Sequence, residues 1–311
     1  MPTGTTQGPE SATPALADYT EYLLRRAYAR ARDCARQVLP PGRHPGEAAI
    51  LADLAAGGAA SQRVLSERLR VNRTIMVRLV DRLEAAGLVR RDRNPRDRRS
   101  YALVLTAEGR QLLRAMEAAA DRGEALLTIA LRPEERRRLN QLLRRLIPDL
   151  EANVASSSLA DRNGFLIAHA HYRLRERSDQ ALASLGVEPR HVAALAVVDS
   201  IEPAPQRSLA SQLGVSDPVV VQLVDELERA GLVERHRNPQ DRREYALQLT
   251  EDGRTWLGRA RKALDAIQAE VTAQLGEVAD HELKALLRKL LTAPPVTRTR
   301  HHKQDPDLLE P

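Results

Sequence analysis

Cysteine, aromatic residues and lysine are scarce in this chain of 311 residues. The single cysteine, Cys34, excludes a disulfide within the chain and fits a reducing compartment. Because only 3% of the residues are aromatic, the cores have to be built from leucine, valine and alanine, whose helical spacing predicts a mostly α protein. No apolar run approaches the length of a membrane span. These absences predict a soluble, cytoplasmic protein that does not associate with a membrane.

Motifs of enzymes and of cofactor sites are also absent from the sequence. It contains no Gly-rich phosphate loop, no nucleophile elbow and no His/Cys set with the spacing of metal ligands. We therefore predict that the protein is not an enzyme and has no catalytic residue, metal or cofactor.

Arginine is abundant instead. Of the 48 basic residues four are lysines, which leaves 44 arginines, and the formal net charge is +6. Arginine forms bidentate bonds to phosphate and guanine, so this composition favours a nucleic-acid partner. The alternative is that the arginines merely fill solvated helix faces. Their clustering in one repeated segment argues against that alternative.

The strongest signal in the sequence is an internal repeat. Residues 88–110, LVRRDRNPRDRRSYALVLTAEGR, match residues 232–254, LVERHRNPQDRREYALQLTEDGR, at an offset of 144. Upstream, LVDRLEAAGLV from Leu79 matches LVDELERAGLV from Leu223 at the same offset. Nearer the N-terminus, the triplet from Tyr22 matches the triplet from Phe165 at an offset of 143. We predict a disordered segment 1–17, a first repeat 18–150, a linker 151–162, a second repeat 163–293 and a disordered tail 294–311.

Each repeat carries the pattern of a helix-turn-helix followed by a β-hairpin. Asn72 is a good N-cap for the second helix of the motif, Gly87 is its stop, and Thr106 caps the helix after the hairpin. In the first repeat we predict helices over ~17–38, ~46–56, 61–69, 73–86, 106–129 and 133–147, with hairpin strands at 88–91 and 101–105. In the second we predict helices over ~163–184, ~189–200, ~206–213 and ~217–230, a hairpin at 232–249 and two long helices over ~250–292.

These motifs resemble the MarR family of bacterial transcriptional regulators. The resemblance rests on the helix ending LVDRLEAAGLV, the loop RNPRDRR and the helix start LTAEGR, each present in both repeats. It implies a winged helix-turn-helix fold, normally paired as a homodimer through the first and last helices. It also implies a small aromatic or phenolic effector in a cleft between the dimerisation and DNA-binding lobes. The fold class expected here is mostly α with small β wings, as an intramolecular pseudo-dimer; a homodimer of whole chains is the alternative.

The predicted DNA contacts lie on the recognition helices and the wings. A hairpin with six arginines and two acids between Arg90 and Arg99 has the charge and reach for phosphates and the minor groove. By the resemblance, Arg99 and Arg243 are the arginines that enter that groove. The predicted helix contacts are Asn72, Arg73, Thr74, Met76 and Arg78 in the first repeat and Ser216, Asp217 and Gln222 in the second. The predicted wing contacts are Arg93, Asn94, Arg96, Asp97, Arg98 and Arg99, and Arg237, Asn238, Gln240, Asp241, Arg242 and Arg243.

The two recognition helices differ in charge. Where the first repeat has Arg73 and Arg78, the second has Asp217 and Gln222, and Pro218 donates no hydrogen bond. We therefore expect two unequal half-readers of an operator in double-stranded DNA, about one helical turn (~34 Å) apart.

The effector cleft is expected between the first, second and fifth helices of a repeat. The candidates are Tyr22, Arg26, Tyr28 and Glu47 for a cleft of the first repeat, and Phe165, His169, Tyr172 and His191 for a cleft of the second. His169 and His171 are two residues apart and do not share a helix face, which argues against a metal site. Cys34 is expected to be a passive thiol; the alternative is an oxidant sensor, for which nearby arginines would lower its pKa.

The function expected from the sequence is that of a ligand-responsive DNA-binding regulator, a repressor by this interpretation. The alternative is a protein that binds or sequesters a small molecule and has weakened DNA binding, which Asp217 and Pro218 favour.

Overall fold

The computed structural model describes residues 18–69, 71–93, 101–148, 150, 159–183, 189–213, 217–237 and 245–294. The two predicted disordered tails, most of the predicted linker and both wing tips lie outside these ranges, apart from Pro294. Within them the chain is mostly helical with two small antiparallel sheets, as predicted.

The elements of the first repeat follow the predicted order, with boundaries within three residues of the prediction. They are α1 (Thr20–Val38), α2 (Pro45–Gly57), α3 (Gln62–Leu69), α4 (Arg73–Ala85), β1 (Val89–Arg93), β2 (Tyr101–Leu105), α5 (Ala107–Leu127) and α6 (Pro133–Leu146).

The second repeat has the same elements and one further short strand. They are α7 (Asn163–Ala183), α8 (Pro189–Ile201), β3 (Ala204–Pro205), α9 (Gln206–Leu213), α10 (Asp217–Arg229), β4 (Val233–Arg237), β5 (Tyr245–Leu249), α11 (Glu251–Leu275) and α12 (Glu277–Leu291). Strand β3, which pairs with β5, was not predicted, and neither was the matching bridge between Ala60 and Leu103 in the first repeat.

Side-chain caps and one glycine define the ends of the helices next to the candidate site. The Asn72 side chain accepts a hydrogen bond from the Thr74 amide at 2.8 Å, which confirms it as the N-cap of α4. Thr106 accepts from the Gly109 amide at 3.0 Å and so caps α5. Gly87, with φ of +69°, follows α4 and turns the chain into β1.

The chain divides into two compact units, and each is built from two separate stretches of sequence. The larger unit comprises Leu23–Arg175 with Val271–Pro311, and the smaller comprises Met1–Tyr22 with Glu176–Glu270. The larger unit therefore holds the winged helix-turn-helix of the first repeat, and the smaller holds that of the second.

The larger unit has a core of leucine, valine and methionine beneath α2 to α5. It also joins the ends of both repeats, because α6 packs on α12. Four leucines of α6 and the four leucines 144 positions later in α12 are buried: Leu139, Leu142, Leu143, Leu146, Leu283, Leu286, Leu287 and Leu290. The last helices of the two repeats thus pair within one chain, as the pseudo-dimer prediction requires.

In the smaller unit, α8, α9, α10 and α11 enclose a core with the three-stranded sheet β3-β5-β4. Strands β4 and β5 pair from Val233 opposite Leu249 to Arg237 opposite Tyr245. The same register holds in the first repeat, from Val89 opposite Leu105 to Arg93 opposite Tyr101. The strands of the two wings therefore pair in the same register.

Contacts made by the first helix of each repeat show that the predicted offset of 143 is wrong. The Gly164 amide donates to Glu124 at 3.0 Å, and the Thr20 amide donates to Gln268 at 2.9 Å. Gly164 lies 144 positions after Thr20, and Gln268 lies 144 positions after Glu124. Tyr28 and Tyr172, also 144 apart, join their hydroxyl groups at 2.6 Å. The match of the Tyr22 triplet to the Phe165 triplet is displaced by one residue from the correspondence seen in the structure. The offset of 144 continues into α1.

Candidate nucleic-acid interface

The exposed face of α4 carries four of the predicted contacts. Asn72, Arg73, Thr74 and Arg78 are exposed, but the Asn72 side chain also caps the helix. Met76 is fully buried in the core of the larger unit, so the prediction that it contacts DNA is wrong. The physical reason is helical periodicity, because Met76 shares a face with the buried Leu79, Val80 and Leu83.

The wing of the first repeat begins beside this helix. Arg93 is exposed at the end of β1, directly opposite Tyr101, whose side chain is 59% exposed. The other predicted wing contacts of this repeat, 94 and 96–99, lie outside the described residues. Tyr101 was not among the predicted contacts. The occurrence of a tyrosine at the same register in both repeats, Tyr101 and Tyr245, was the sequence signal that could have identified it.

One wing arginine has a structural partner in the recognition helix. Arg91 of β1 bonds to Asp81 at 2.8 Å and lies 3.2 Å from Glu84, both on α4. In the second repeat Arg235 bonds to Asp225 and lies 3.0 Å from Glu228. The same ion pairs thus occur in both repeats, 144 positions apart, and each connects a wing to its recognition helix. Arg91 therefore adds less to the positive potential of the wing than counting arginines implies.

The recognition helix of the second repeat has a different exposed face. Asp217 and Gln222 are exposed on α10, as are Val219 (47%) and Val221 (45%). Ser216 lies outside the described residues. Arg237 is exposed at the end of β4, opposite Tyr245, and the wing residues 238 and 240–243 lie outside the described ranges. The α10 surface thus presents acid and apolar groups where α4 presents arginines.

A cavity opens in the larger unit between α1, α2, α5 and the start of α7. Its volume is about 1160 Å³ including the solvent-filled mouth. Four predicted effector residues line it: Tyr28 of the first repeat, and Phe165, His169 and Tyr172, which were predicted for a cleft of the second repeat.

The other four predicted effector residues lie elsewhere. Tyr22 and His191 belong to the smaller unit, and Arg26 is exposed without lining the cavity. The Glu47 side chain is fully buried and points to Arg82. Sequence spacing placed these residues on the correct elements but not on the faces that surround the cavity.

Tyr28 organises one wall of the cavity. Its ring stacks on His171 with centroids 4.8 Å apart, and its hydroxyl bonds to that of Tyr172. Burial is the main cause that raises the pKa of Tyr172, and it is also the main cause that lowers the pKa of His171 to about 3. Both side chains are therefore neutral at physiological pH.

The opposite wall connects the cavity to α4. The Nδ1 atom of His44 caps α2 by accepting from the Gly46 amide at 3.0 Å. The buried carboxylate of Glu47 lies 3.2 Å from the Nε atom of Arg82 on α4. Burial raises the pKa of Glu47, and Arg82 opposes this shift. Leu79 of α4 lines the cavity directly. A change in the cavity can thus reach the recognition helix through packing and through an ion pair.

Cys34 is buried on α1, and burial raises its pKa. Arg30 lowers the pKa by a smaller amount, so the nearby arginines do not make this thiol acidic. Among the described residues no group of three or more His, Cys, Asp or Glu side chains is arranged to hold a metal ion.

Comparison with known proteins agrees with the geometry of the two modules. A family model described as "MarR family" matches residues 44–101, and a second with the same description matches residues 185–244. The "Putative transcriptional regulatory protein for hcr operon" of Thauera aromatica is 36% identical over 126 residues, which are 40% of this chain and 76% of that protein. The chain belongs to the MarR family.

Further MarR-like relatives are transcriptional regulators too. The "Transcriptional repressor MprA" of Escherichia coli K12 is 29% identical over 41% of this chain and 73% of its own length. A solved structure of the transcriptional repressor CouR bound to a 23-mer DNA duplex is 32% identical, over 43% of this chain and 93% of that one, with a TM-score of 0.40. This MarR-family chain carries two winged helix modules in tandem, and none of its described helices is long and apolar enough to cross a membrane.

Proposed function

We propose that this protein is a repressor that binds an operator in double-stranded DNA and releases it when a small aromatic or phenolic effector enters the cavity of the larger unit. The observation that carries the proposal is the exposed pair Arg73 and Arg78 on α4, beside a wing that is tied to the same helix through Arg91. Relatives described as a transcriptional repressor and as a regulatory protein for an operon support it. The repressor direction comes from those relatives.

The DNA interface of the first repeat combines the α4 face with the wing. Arg73, Thr74 and Arg78 are placed to reach base edges or phosphates in the major groove. Arg93 and Tyr101 are placed to contact the backbone at the base of the wing. The arginines at the tip, including Arg99, remain the proposed minor-groove contacts.

The second repeat is proposed as the weaker half-reader. Asp217 repels phosphate, while the exposed Val219 and Val221 offer only apolar contacts, such as with thymine methyl groups. Its affinity then comes mainly from the wing arginines Arg237, Arg242 and Arg243 and is largely independent of sequence. The operator should therefore consist of two unlike half-sites.

Effector control is supported by the contacts between the cavity and α4. Leu79 lines the cavity, and His44 and Glu47 link the start of α2 to Arg82. A ligand that displaces these groups shifts α4 relative to β1 and changes the spacing of the DNA contacts.

The test is DNA binding by fluorescence anisotropy over a salt titration, with fragments from upstream of the protein's own gene. We expect Arg73→Ala and Arg78→Ala each to weaken binding and to reduce the salt slope by about one. Arg137→Ala, an exposed change on α6, is the matched control and should leave both unchanged. Absence of binding by the unmodified chain at low salt would refute the proposal.

The second candidate function is a protein that binds or sequesters a small molecule and has weakened DNA binding. The apolar and acidic face of α10 favours it. It predicts DNA binding that is weak even at low salt, together with intact ligand binding, so the same titration and a ligand titration separate the two functions. Size-exclusion chromatography of the same samples distinguishes a monomeric pseudo-dimer from a dimer of chains.

A further inference from the structure

We infer that the two recognition helices read opposite members of a G·C base pair. Arg73 of α4 selects a guanine, and Asp217 of α10 selects a cytosine at the equivalent position of the other half-site. Beside each of these bases, a valine of the same helix contacts a pyrimidine methyl group. The inference rests on the proposed DNA binding. It adds a base preference to the second repeat, whose affinity otherwise comes from its wing.

Arg73 and Asp217 occupy the same position in the two repeats. Each is the first residue of its recognition helix, both are exposed, and they lie 144 positions apart. One turn further along, Val77 and Val221 are also equivalent, and they are 39% and 45% exposed. Residues four apart share a helix face, so each helix presents a charged side chain beside a valine. The two faces thus differ in the sign of the charge and agree in the apolar group.

The carboxylate of Asp217 is available to a base. Among the described residues none forms an ion pair with it. The acids further along α10 are held by the protein instead. Asp225 bonds to Arg235. Glu226 accepts a hydrogen bond from the side-chain amide of Gln222 at 3.1 Å. Since proline and two valines complete the first turn of α10, Asp217 is the polar side chain of that turn.

The chemistry of the base edges decides what such a carboxylate can bind. An ionised carboxylate only accepts hydrogen bonds, so it needs an amino group in the major groove. Cytosine offers its N4 amino group, whereas the N6 amino group of adenine lies beside the acceptor N7, which repels a second carboxylate oxygen. Guanine presents two acceptors, which fit the donors of Arg73 and repel Asp217. The exchange of arginine for aspartate therefore exchanges guanine for cytosine.

The valines fit a methyl group on a neighbouring base. Side chains four residues apart on a helix have Cβ atoms about 5–6 Å apart, so Val77 and Val221 reach beyond the base that the charged residue contacts. The apolar group on the floor of the major groove is the C5-methyl of thymine. A 5-methylcytosine carries the same group at the same ring position. The shared ligand chemistry is thus a pyrimidine methyl beside the selected base.

The preference of Asp217 also has a repulsive component. Its charge opposes binding to the phosphate backbone unless the carboxylate finds an amino group. A wrong base leaves it opposite an acceptor atom, which penalises that sequence more than a neutral side chain would. We therefore expect a preference of about tenfold for cytosine at this position, the effect of one charge-assisted hydrogen bond.

The first experiment selects binding sites for the full chain from duplexes with a random central region. The unmodified chain should select two unlike half-sites, with cytosine in one where the other has guanine when both are read from the centre outwards. Asp217→Arg, which introduces the side chain of the first repeat, should replace that cytosine by guanine and make the half-sites alike at this position. Asp217→Asn should shift it towards adenine, which an amide binds through two hydrogen bonds.

The matched control is Glu277→Arg, a charge reversal at an exposed position of α12. It should select the same unlike half-sites as the unmodified chain. Circular dichroism shows whether the Asp217 variants are folded. Half-sites that keep the same sequence in a folded Asp217→Arg or Asp217→Asn variant would overturn the inference.

The second experiment measures the size of each preference by fluorescence anisotropy on the selected operator. Exchange of the C·G pair for G·C should weaken the unmodified chain about tenfold and should strengthen Asp217→Arg. Equal affinities of the unmodified chain for the two operators would refute the role of Asp217.

The source of the methyl group is tested on the same operator. Deoxyuridine in place of the neighbouring thymine removes the methyl alone and should weaken binding about three- to fourfold. If the neighbouring base is a cytosine, its 5-methyl derivative should strengthen binding by the same factor. Val221→Ala should respond to neither change, whereas Val278→Ala, an exposed valine on α12, should respond as the unmodified chain does. Equal responses of the two variants would remove the valine contact.

This inference and the proposed function fail in different measurements. Absence of binding by the unmodified chain at low salt rejects the DNA binding itself. DNA binding in which one base pair is not selected through Asp217 keeps the regulator and rejects the opposite reading of the two helices.

Discussion

Arg138 of α6 and Glu282 of α12, which occupy equivalent positions in the two repeats, form an ion pair of 2.7 Å. In a pair of two identical repeats this position would bring together two arginines or two glutamates. The bond lowers the pKa of Glu282, as expected for a carboxylate beside a guanidinium group. The contact therefore favours the pairing of unlike repeats within one chain.

We predict that Arg138→Glu and Glu282→Arg each destabilise the larger unit, and that the double exchange restores most of the loss. Both side chains are more than a third exposed, so solvent screening limits the coupling to about 0.5 kcal/mol. A double-mutant cycle from urea unfolding measures it. Arg137→Glu, the exposed neighbour, should show no coupling to Glu282→Arg. Coupling of zero for the Arg138 pair would contradict the interpretation.

Gly253 allows α11 to approach the chain that precedes β4. A Cβ atom at this position would lie 2.0 Å from the Leu232 carbonyl oxygen, and one at Gly109 would lie 2.1 Å from that of Leu88. We predict that Gly253→Ala destabilises the smaller unit by roughly 2 kcal/mol or more, because backbone has to move. Gly258→Ala, on the same helix with open space around it, should instead stabilise by about 0.5 to 1 kcal/mol. Thermal unfolding of the two variants gives the comparison, and equal effects would show that close approach is not the reason for Gly253.

His171 should make the stability of the larger unit depend on pH. Its surroundings are Tyr28, Tyr172 and the guanidinium groups of Arg25 and Arg175, and the last two reinforce the effect of burial. The folded pKa of about 3 lies below the ordinary value of 6.5, so the unfolded chain binds more protons between these limits. Stability is therefore lost as pH falls from about 6.5 towards 3, by up to about 1.4 kcal/mol per pH unit. Unfolding of His171→Leu should show a shallower slope in this window, and the exposed change His281→Leu should not; an unchanged slope in His171→Leu would count against this assignment.

Cys34 should be inert in the folded protein. It is buried, and its raised pKa leaves little thiolate at neutral pH. We predict that iodoacetamide modifies Cys34 only after denaturation and that peroxide leaves DNA affinity unchanged. Rapid modification of the native chain, at the rate of a free thiol, would support a redox role instead.

The sequence was sufficient to predict the order of the elements. Long amphipathic segments, the Asn72 and Thr106 caps and the repeated hairpin each indicate one local structure, and the structure agrees with them. The pairing of α6 with α12 followed from the family resemblance and is seen in the buried leucines. The helix face on which each residue lies was harder to predict. Met76 was assigned to DNA although its spacing from Leu79 and Leu83 indicates the core.

The cavity was only half predictable because its walls come from distant parts of the chain. Tyr28, Phe165, His169 and Tyr172 were found from their positions on α1 and α7. The burial of Glu47 beside Arg82, and the exposed ion pair of Arg91 with Asp81, depend on side chains that meet only after α2, α4 and β1 have packed. Periodicity describes one element at a time and carries no information on such pairs.

The packing of α6 on α12 has a consequence for how the protein is made. During synthesis α6 leaves the ribosome well before α12, with which its row of leucines has to pack. The apolar face of α6 therefore stays exposed until the second repeat has been translated. The larger unit completes its folding only after most of the smaller unit has been synthesised. Contacts between residues this far apart in the sequence slow folding, and they prolong the period in which the incompletely folded chain can aggregate. Codon usage or chaperone binding in the second repeat would thus affect the folding of the first.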